Sequence, residues 1–171
     1  MKKIKILMIL IMFCFSFPIH FVYDKFPCFI TSIMFPVNES IWEHMKIIYT
    51  SILLSSIIEF FIYKKKAIST NNFIISIPIS AISGIIFYLV IYLIIDIFVP
   101  HNFYIAIIIM FLTYIFSEIV SYKLLNKKEI PNQKEIGISL ILISYIIFTH
   151  FTYYPPKTHL FIDQITRSYG L

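Results

Sequence analysis

The sequence predicts an all-α integral membrane bundle of about five transmembrane helices, with the N-terminus inside and the C-terminus outside. Three observations carry that expectation. Of 171 residues, 59% are hydrophobic and only 13% charged, with a mean hydropathy of +0.87, whereas soluble domains run at roughly 45–50% apolar and about 25% charged. One globular core cannot hide that much apolar surface, and disorder needs the opposite composition. Five stretches reach the length of about 20 apolar residues that crossing about 30 Å of hydrocarbon requires. Each is bounded by Lys, Pro, Asn or a polar cluster, the expected punctuation of helix ends. The runs are apolar on all sides, so they do not read as the alternating strands of a membrane barrel.

The first helix is placed at 4–21. Lys2, Lys3 and Lys5 precede it as they would a signal peptide, but only Phe13-Cys14-Phe15-Ser16-Phe17-Pro18 follows, with no small-x-small cleavage site. It is therefore read as uncleaved. An outer loop, 22–44, leads to the second helix at 45–63. The third, 73–99, carries Ser76, Ser80, Ser83 and Gly84, small residues that let neighbouring backbones approach. Pro78 is expected to bend it, and its length of about 27 residues calls for tilt or an extension beyond the bilayer. The fourth helix is placed at 103–122 and the fifth at 136–153, where Pro155 and Pro156 stop it and open an outer tail, 154–171. The chain reads as a single membrane domain, 1–171, with no internal repeat.

Charge sets the orientation. With the N-terminus inside, ten cationic residues lie inside (Lys2, Lys3, Lys5, Lys64, Lys65, Lys66, Lys123, Lys127, Lys128 and Lys134) and four outside (Lys25, Lys46, Lys157 and Arg167), as the positive-inside rule asks. Lys+Arg number 14 against 9 Asp+Glu, but the lysines flank apolar runs and form no basic face, which argues against nucleic acid as a partner. The expected partners are the lipid bilayer and, beyond it, a second copy of the chain or a larger membrane complex. Cys14 and Cys28 cannot make a disulfide framework. No phosphate loop, dinucleotide fingerprint, haem-attachment motif or zinc finger is present, and three glycines with no Gly-x-Ser-x-Gly leave no nucleophile elbow.

The same threading gathers His20, His44, His101, His150 and His159 at or near the outer boundary, with Asp24, Glu39, Glu43, Asp96 and Asp163. The densest stretch is Asn38-Glu39-Ser40-Ile41-Trp42-Glu43-His44. Ser40 as N-cap would put Glu43 at N3 and close a capping box, and Trp42 suits the headgroup level. Alternatively, Glu39, Trp42, Glu43 and Lys46 share one helical face beside His44, a cluster able to hold a metal or trade protons. The spacing matches neither His-Glu-x-x-His nor a calcium loop. In a catalytic reading, His20, His44 and His150 are ligands or bases, Glu39 or Glu43 a proton carrier, and Asp163 an orienter. His159 is a further ligand candidate, and a divalent metal is the cofactor such a set would admit. The tail is expected either to fold back as a lid, bringing His159 and Asp163 towards this cluster, or to lie solvated at headgroup level.

Within the membrane, Ser51, Ser55, Glu59 and Tyr63 form one polar stripe and Tyr114, Ser117, Glu118 and Ser121 another. Both stripes should face other helices. Glu59 and Glu118 are functional candidates by default, although each lies five residues before a lysine, Lys64 or Lys123, with which it could pair.

The string NESIWEHMK, with His20-Phe21-x-Tyr23-Asp24 before it and Tyr154-Pro155-Pro156-x-x-x-Leu160-Phe161-x-Asp163 and Tyr169-Gly170 after it, resembles a family of small bacterial membrane proteins known only as a domain of unknown function. The resemblance spans nearly the whole chain. It implies a multi-spanning fold in a bacterial cytoplasmic membrane and brings no activity or catalytic residue. Three functions stay open: a non-enzymatic or accessory membrane component, an outward-facing metal- or acid/base-assisted hydrolase or transferase on lipid or envelope substrates, and a small ion or solute transporter through Glu59 and Glu118.

Overall fold

The computed structural model describes residues 1–99 and 102–171, so the expectation for His101 lies outside the described residues. Among the described residues seven helices follow one another: α1 (Lys2–His20), α2 (Val22–Lys25), α3 (Phe29–Met34), α4 (Ile41–Lys65), α5 (Phe73–Asp96), α6 (Phe103–Leu125) and α7 (Gln133–Tyr153). Among the described residues, five segments are long and apolar enough to cross a membrane: Lys2–Lys25, Ile41–Lys65, Phe73–Asp96, Tyr104–Leu125 and Gln133–Tyr153. Backbone groups satisfied within each segment are what a hydrocarbon solvent demands. The protein is an all-helical, multi-pass membrane protein.

The long helices run up and down. α4 and α5 pack together, α1 lies against α4 and α6, and α5 also contacts α6 and α7. Small residues make the closest approaches. A Cβ at Gly84 would fall on Ser117 Oγ of α6, and one at Gly137 would come 2.8 Å from the Ile75 backbone nitrogen. Packing rather than water exclusion holds such helices together. The polar stripes face inward as expected: Ser51, Ser55, Glu59 and Tyr63 are buried, as are Tyr114, Ser117, Glu118 and Ser121.

Helix ends depart from the apolar boundaries because polar caps and lysines extend the hydrogen-bonded backbone beyond the hydrocarbon-matched run. α4 begins at Ile41, not at 45, with Ser40 Oγ accepting from Glu43 N at 3.2 Å. α5 stops at Asp96, short of 99, and runs unbroken across Pro78. α6 continues to Leu125 and α7 starts at Gln133. The loop 22–44 is partly helical, containing α2 and α3. At the end remote from His20, buried Asn72 adopts φ +56°. Its Nδ2 donates to Leu124 O and Lys128 O, both at 3.1 Å, while its Oδ1 accepts from Ile130 N at 2.7 Å. One side chain thus joins two interhelical connections.

The tail is docked. Trp42 N donates to Leu160 O at 2.9 Å, and the Trp42 ring packs against Phe148, Phe151 and Phe161. Asn38 Nδ2 reaches Gly170 O at 3.1 Å, and Leu171 N donates to Thr152 O at 3.1 Å. A bridge between Ile162 and Tyr169 folds the tail on itself. Of the two expectations for the tail, the folded-back one describes it.

Candidate functional site

Three elements meet at the His20 end. α1 delivers His20 from its last turn, the segment ahead of α4 delivers Glu39, and the first turn of α4 delivers His44. Glu39 Oε2 lies 3.5 Å from His20 Nε2 and 3.5 Å from His44 Nε2. Each residue offers one ligand atom, and the three atoms lie within 4.8 Å of one another. A good N–H···O bond is 2.7–3.2 Å long, as a rule, so these contacts are loose for hydrogen bonds. They fit the edges of a metal centre, since tetrahedral arms of about 2.1 Å give ligand–ligand edges of about 3.4 Å.

The His44 ring is fixed by its other nitrogen. Nδ1 lies 2.8 Å from Ser40 O, a carbonyl that can only accept, so Nδ1 carries the hydrogen and Nε2 faces Glu39. A bare imidazole nitrogen and a carboxylate are both acceptors, so a cation, a proton or a metal, belongs between them. A ligating histidine anchored through its far N–H to a backbone carbonyl is the usual second support of a metal site. The adjacent His20 ring holds the Glu39 carboxyl below its ordinary range, against its partial burial, and His44 adds to the lowering. Glu39 is therefore an available anionic ligand at neutral pH.

A cavity of about 350 Å³ opens beneath the three side chains. Phe17 of α1, Phe21 just after it, Ile47 and Ile48 of α4, and Ile107 and Met110 of α6 line it. The lining is mostly apolar, with His20, Glu39, His44, Ser16 and Tyr88 as its polar members, a composition suited to a ligand with a polar head and an apolar body.

The other expected site residues make other contacts, Asp163 alone of them reaching the cluster, through the Glu39 backbone N–H. Glu43 points into the bundle, where its Oε2 lies 2.8 Å from Lys46 Nζ and accepts from Val37 N at 3.1 Å, and its Oε1 accepts from Thr152 at 2.7 Å. Lys46 also donates to Ser32 O at 2.7 Å. Half of the capping box forms, because the Glu43 side chain serves Val37 N while Ser40 N donates to Asn38 Oδ1 at 3.0 Å. The shared helical face for Glu39, Glu43 and Lys46 does not exist, since Glu39 precedes the helix. His150 is exposed and packs edge-on against Phe151 and at a tilt against Tyr154. His159 meets Asp96 at 3.1 Å. Asp163 turns the tail, accepting from Ile165 N at 2.7 Å and Thr166 N at 3.1 Å.

Glu59 and Glu118 pair with neither Lys64 nor Lys123. Their partner is Lys5, 2.6 Å from Glu59 Oε1 and 2.9 Å from Glu118 Oε2. Lys5 is the residue that sequence reasoning missed as a site member, having been grouped with the flanking lysines. The signal was its register: Lys5, Met8, Met12, Ser16 and Ile19 share the buried stripe of α1. Higher in the bundle, Ser16 Oγ bonds Tyr114 OH at 2.5 Å and lies 3.4 Å from Ser51 Oγ.

No curated protein and no solved structure matches the chain. The model described as "Family of unknown function (DUF6512)" matches residues 1–171, and the chain belongs to that family.

Proposed function

We propose that this protein is a membrane-embedded, zinc-dependent hydrolase or transferase acting on a lipid-like substrate at the outer face of a bacterial cytoplasmic membrane. The observation that carries it is the pair of 3.5 Å contacts from Glu39 Oε2 to two imidazole nitrogens at the head of an apolar cavity. Two histidines and one carboxylate leave an open position on a tetrahedral zinc. His20, Glu39 and His44 would hold the ion, which would supply an activated water near neutral pH and polarise the bond under attack. The cavity would take the acyl or isoprenoid chain and present the headgroup ester to the ion. In this reading Glu43, His150, His159 and Asp163 shape the scaffold and are not ligands.

The test is elemental analysis of the full chain purified in detergent with zinc supplied during growth. The expected result is stoichiometric metal in the wild type, lost in His44→Ala and in Glu39→Gln while both variants keep their helical content. A wild type that remains metal-free after zinc loading would overturn the proposal and favour an accessory, non-enzymatic component.

A further inference from the structure

The zinc reading leaves the Lys5 cluster without a role. Three helices close on it. From α1 comes the Lys5 ammonium, which also donates to Ser121 Oγ at 2.7 Å. From α4 come Glu59 and Tyr63, whose hydroxyl donates to Glu59 Oε1 at 2.6 Å. From α6 come Glu118 and Ser121. α5, which backs α4 and α6, sets Phe73 against Tyr63 and has no ionisable side chain before Tyr88. The side chains of Lys5, Glu59 and Glu118 are 6%, 6% and 7% exposed.

One ammonium faces two carboxylates. Fully ionised, the cluster is a net anion buried among apolar helices, the costliest state available to it. One added proton makes it neutral. The two carboxylates differ as receivers. Glu59 Oε1 already faces two donors, Lys5 and Tyr63. Glu118 Oε2 meets the Lys5 ammonium at 2.9 Å, out of line for a hydrogen bond. The buried carboxylate with fewer aligned donors is the one that gains most from taking up a proton.

We propose that Lys5, Glu59 and Glu118 form a reversible proton-binding site in which Glu118 holds the exchangeable proton. Binding transfers H⁺ from a hydronium to the Glu118 carboxylate, breaking one O–H bond in the donor and forming one on Glu118, and takes the cluster from net −1 to neutral. Release to a water molecule reverses this. Lys3, Lys65 and Lys66 line a cleft at the same end of α1 and α4.

The test is infrared difference spectroscopy of the full chain in lipid nanodiscs with ¹³C-glutamate, taken through a rise in pH across neutrality. The wild type should show the C=O band of a buried carboxylic acid that shifts with the label and disappears as pH rises. Glu118→Gln should abolish it. Glu118→Asp, which keeps the carboxyl, should keep a band that no longer responds to labelled glutamate. His44→Ala should leave it unchanged, so the proton site and the zinc site fail separately. A labelled wild type with no such band, or a band untouched by Glu118→Asp, overturns the proposal.

Discussion

At the scale of single residues, the stretch from Asn38 to His44 divides its work between architecture and chemistry. Ser40 caps α4, Trp42 seats the tail and Glu43 binds Lys46, while Glu39 and His44 turn to His20. The Glu43–Lys46 pair is almost fully buried, so removing one member strands the other charge. Lys46→Met is expected to cost about 3–5 kcal/mol. Adding Glu43→Gln to it should restore most of that loss, because the amide oxygen still accepts from Val37 N while its NH2 can donate to Thr152 Oγ, whose hydroxyl keeps Phe148 O as an acceptor. Unfolding in detergent followed by circular dichroism measures both, and simply additive losses would count against the pairing. Glu39, His20 and His44 were legible as residue types gathered on one side of a membrane. Which carboxylate served the histidines was not legible, because it depends on α4 starting at Ile41 and leaving Glu39 outside the helical register. Lys5 was hidden for a related reason: a lysine beside two others at a helix start looks like a flank until its neighbours in space are known.

At the scale of elements, the five spans could be read from hydropathy because a bilayer fixes their length. Their ends could not, since hydropathy marks the hydrocarbon boundary and capping side chains mark the helix boundary. The tail shows the same limit. Pro155 and Pro156 announce that α7 stops, but its docking rests on tertiary contacts from Trp42 and Asn38 that no local pattern contains. Asp163 gives that docking a pH dependence. Its burial pushes the carboxyl up, yet the N–H donors of Ile165 and Thr166 prevail and hold it below its ordinary range, with Glu39 N–H assisting. A carboxyl lowered in the folded state contributes stability that is present above its unfolded value and is lost as pH falls through the folded one. The tail should therefore resist protease at neutral pH and become cleavable only in strongly acid medium, whereas Asp163→Ala should be cut at neutral pH too. Limited proteolysis read by mass spectrometry tests this, and a tail equally protected at all pH values would refute it.

At the scale of the whole molecule, the charge asymmetry sharpens once the buried lysines are known. Lys5 and Lys46 are held in ion pairs inside the bundle and no longer count as loop charges. Nine cations remain at the end where α1 begins and three at the His20 end, a stronger bias than the ten against four of the sequence alone. By the positive-inside rule the His20 end is expected to face outward, which would put the proposed zinc site on the envelope side and the proton site near the cytoplasm. The two native cysteines can report this without engineering a tag. Cys28 is exposed between α2 and α3 at the His20 end, and Thr31 hydrogen-bonding draws its thiol below the ordinary value, favouring the reactive thiolate. Cys14 is exposed on the membrane-spanning part of α1, where a charged reagent has no access. A membrane-impermeant maleimide added to intact cells should therefore modify Cys28 and spare Cys14, and Cys28→Ser should abolish labelling. Labelling of Cys28 only after the cells are permeabilised would reverse the orientation and place the histidine site on the cytoplasmic side.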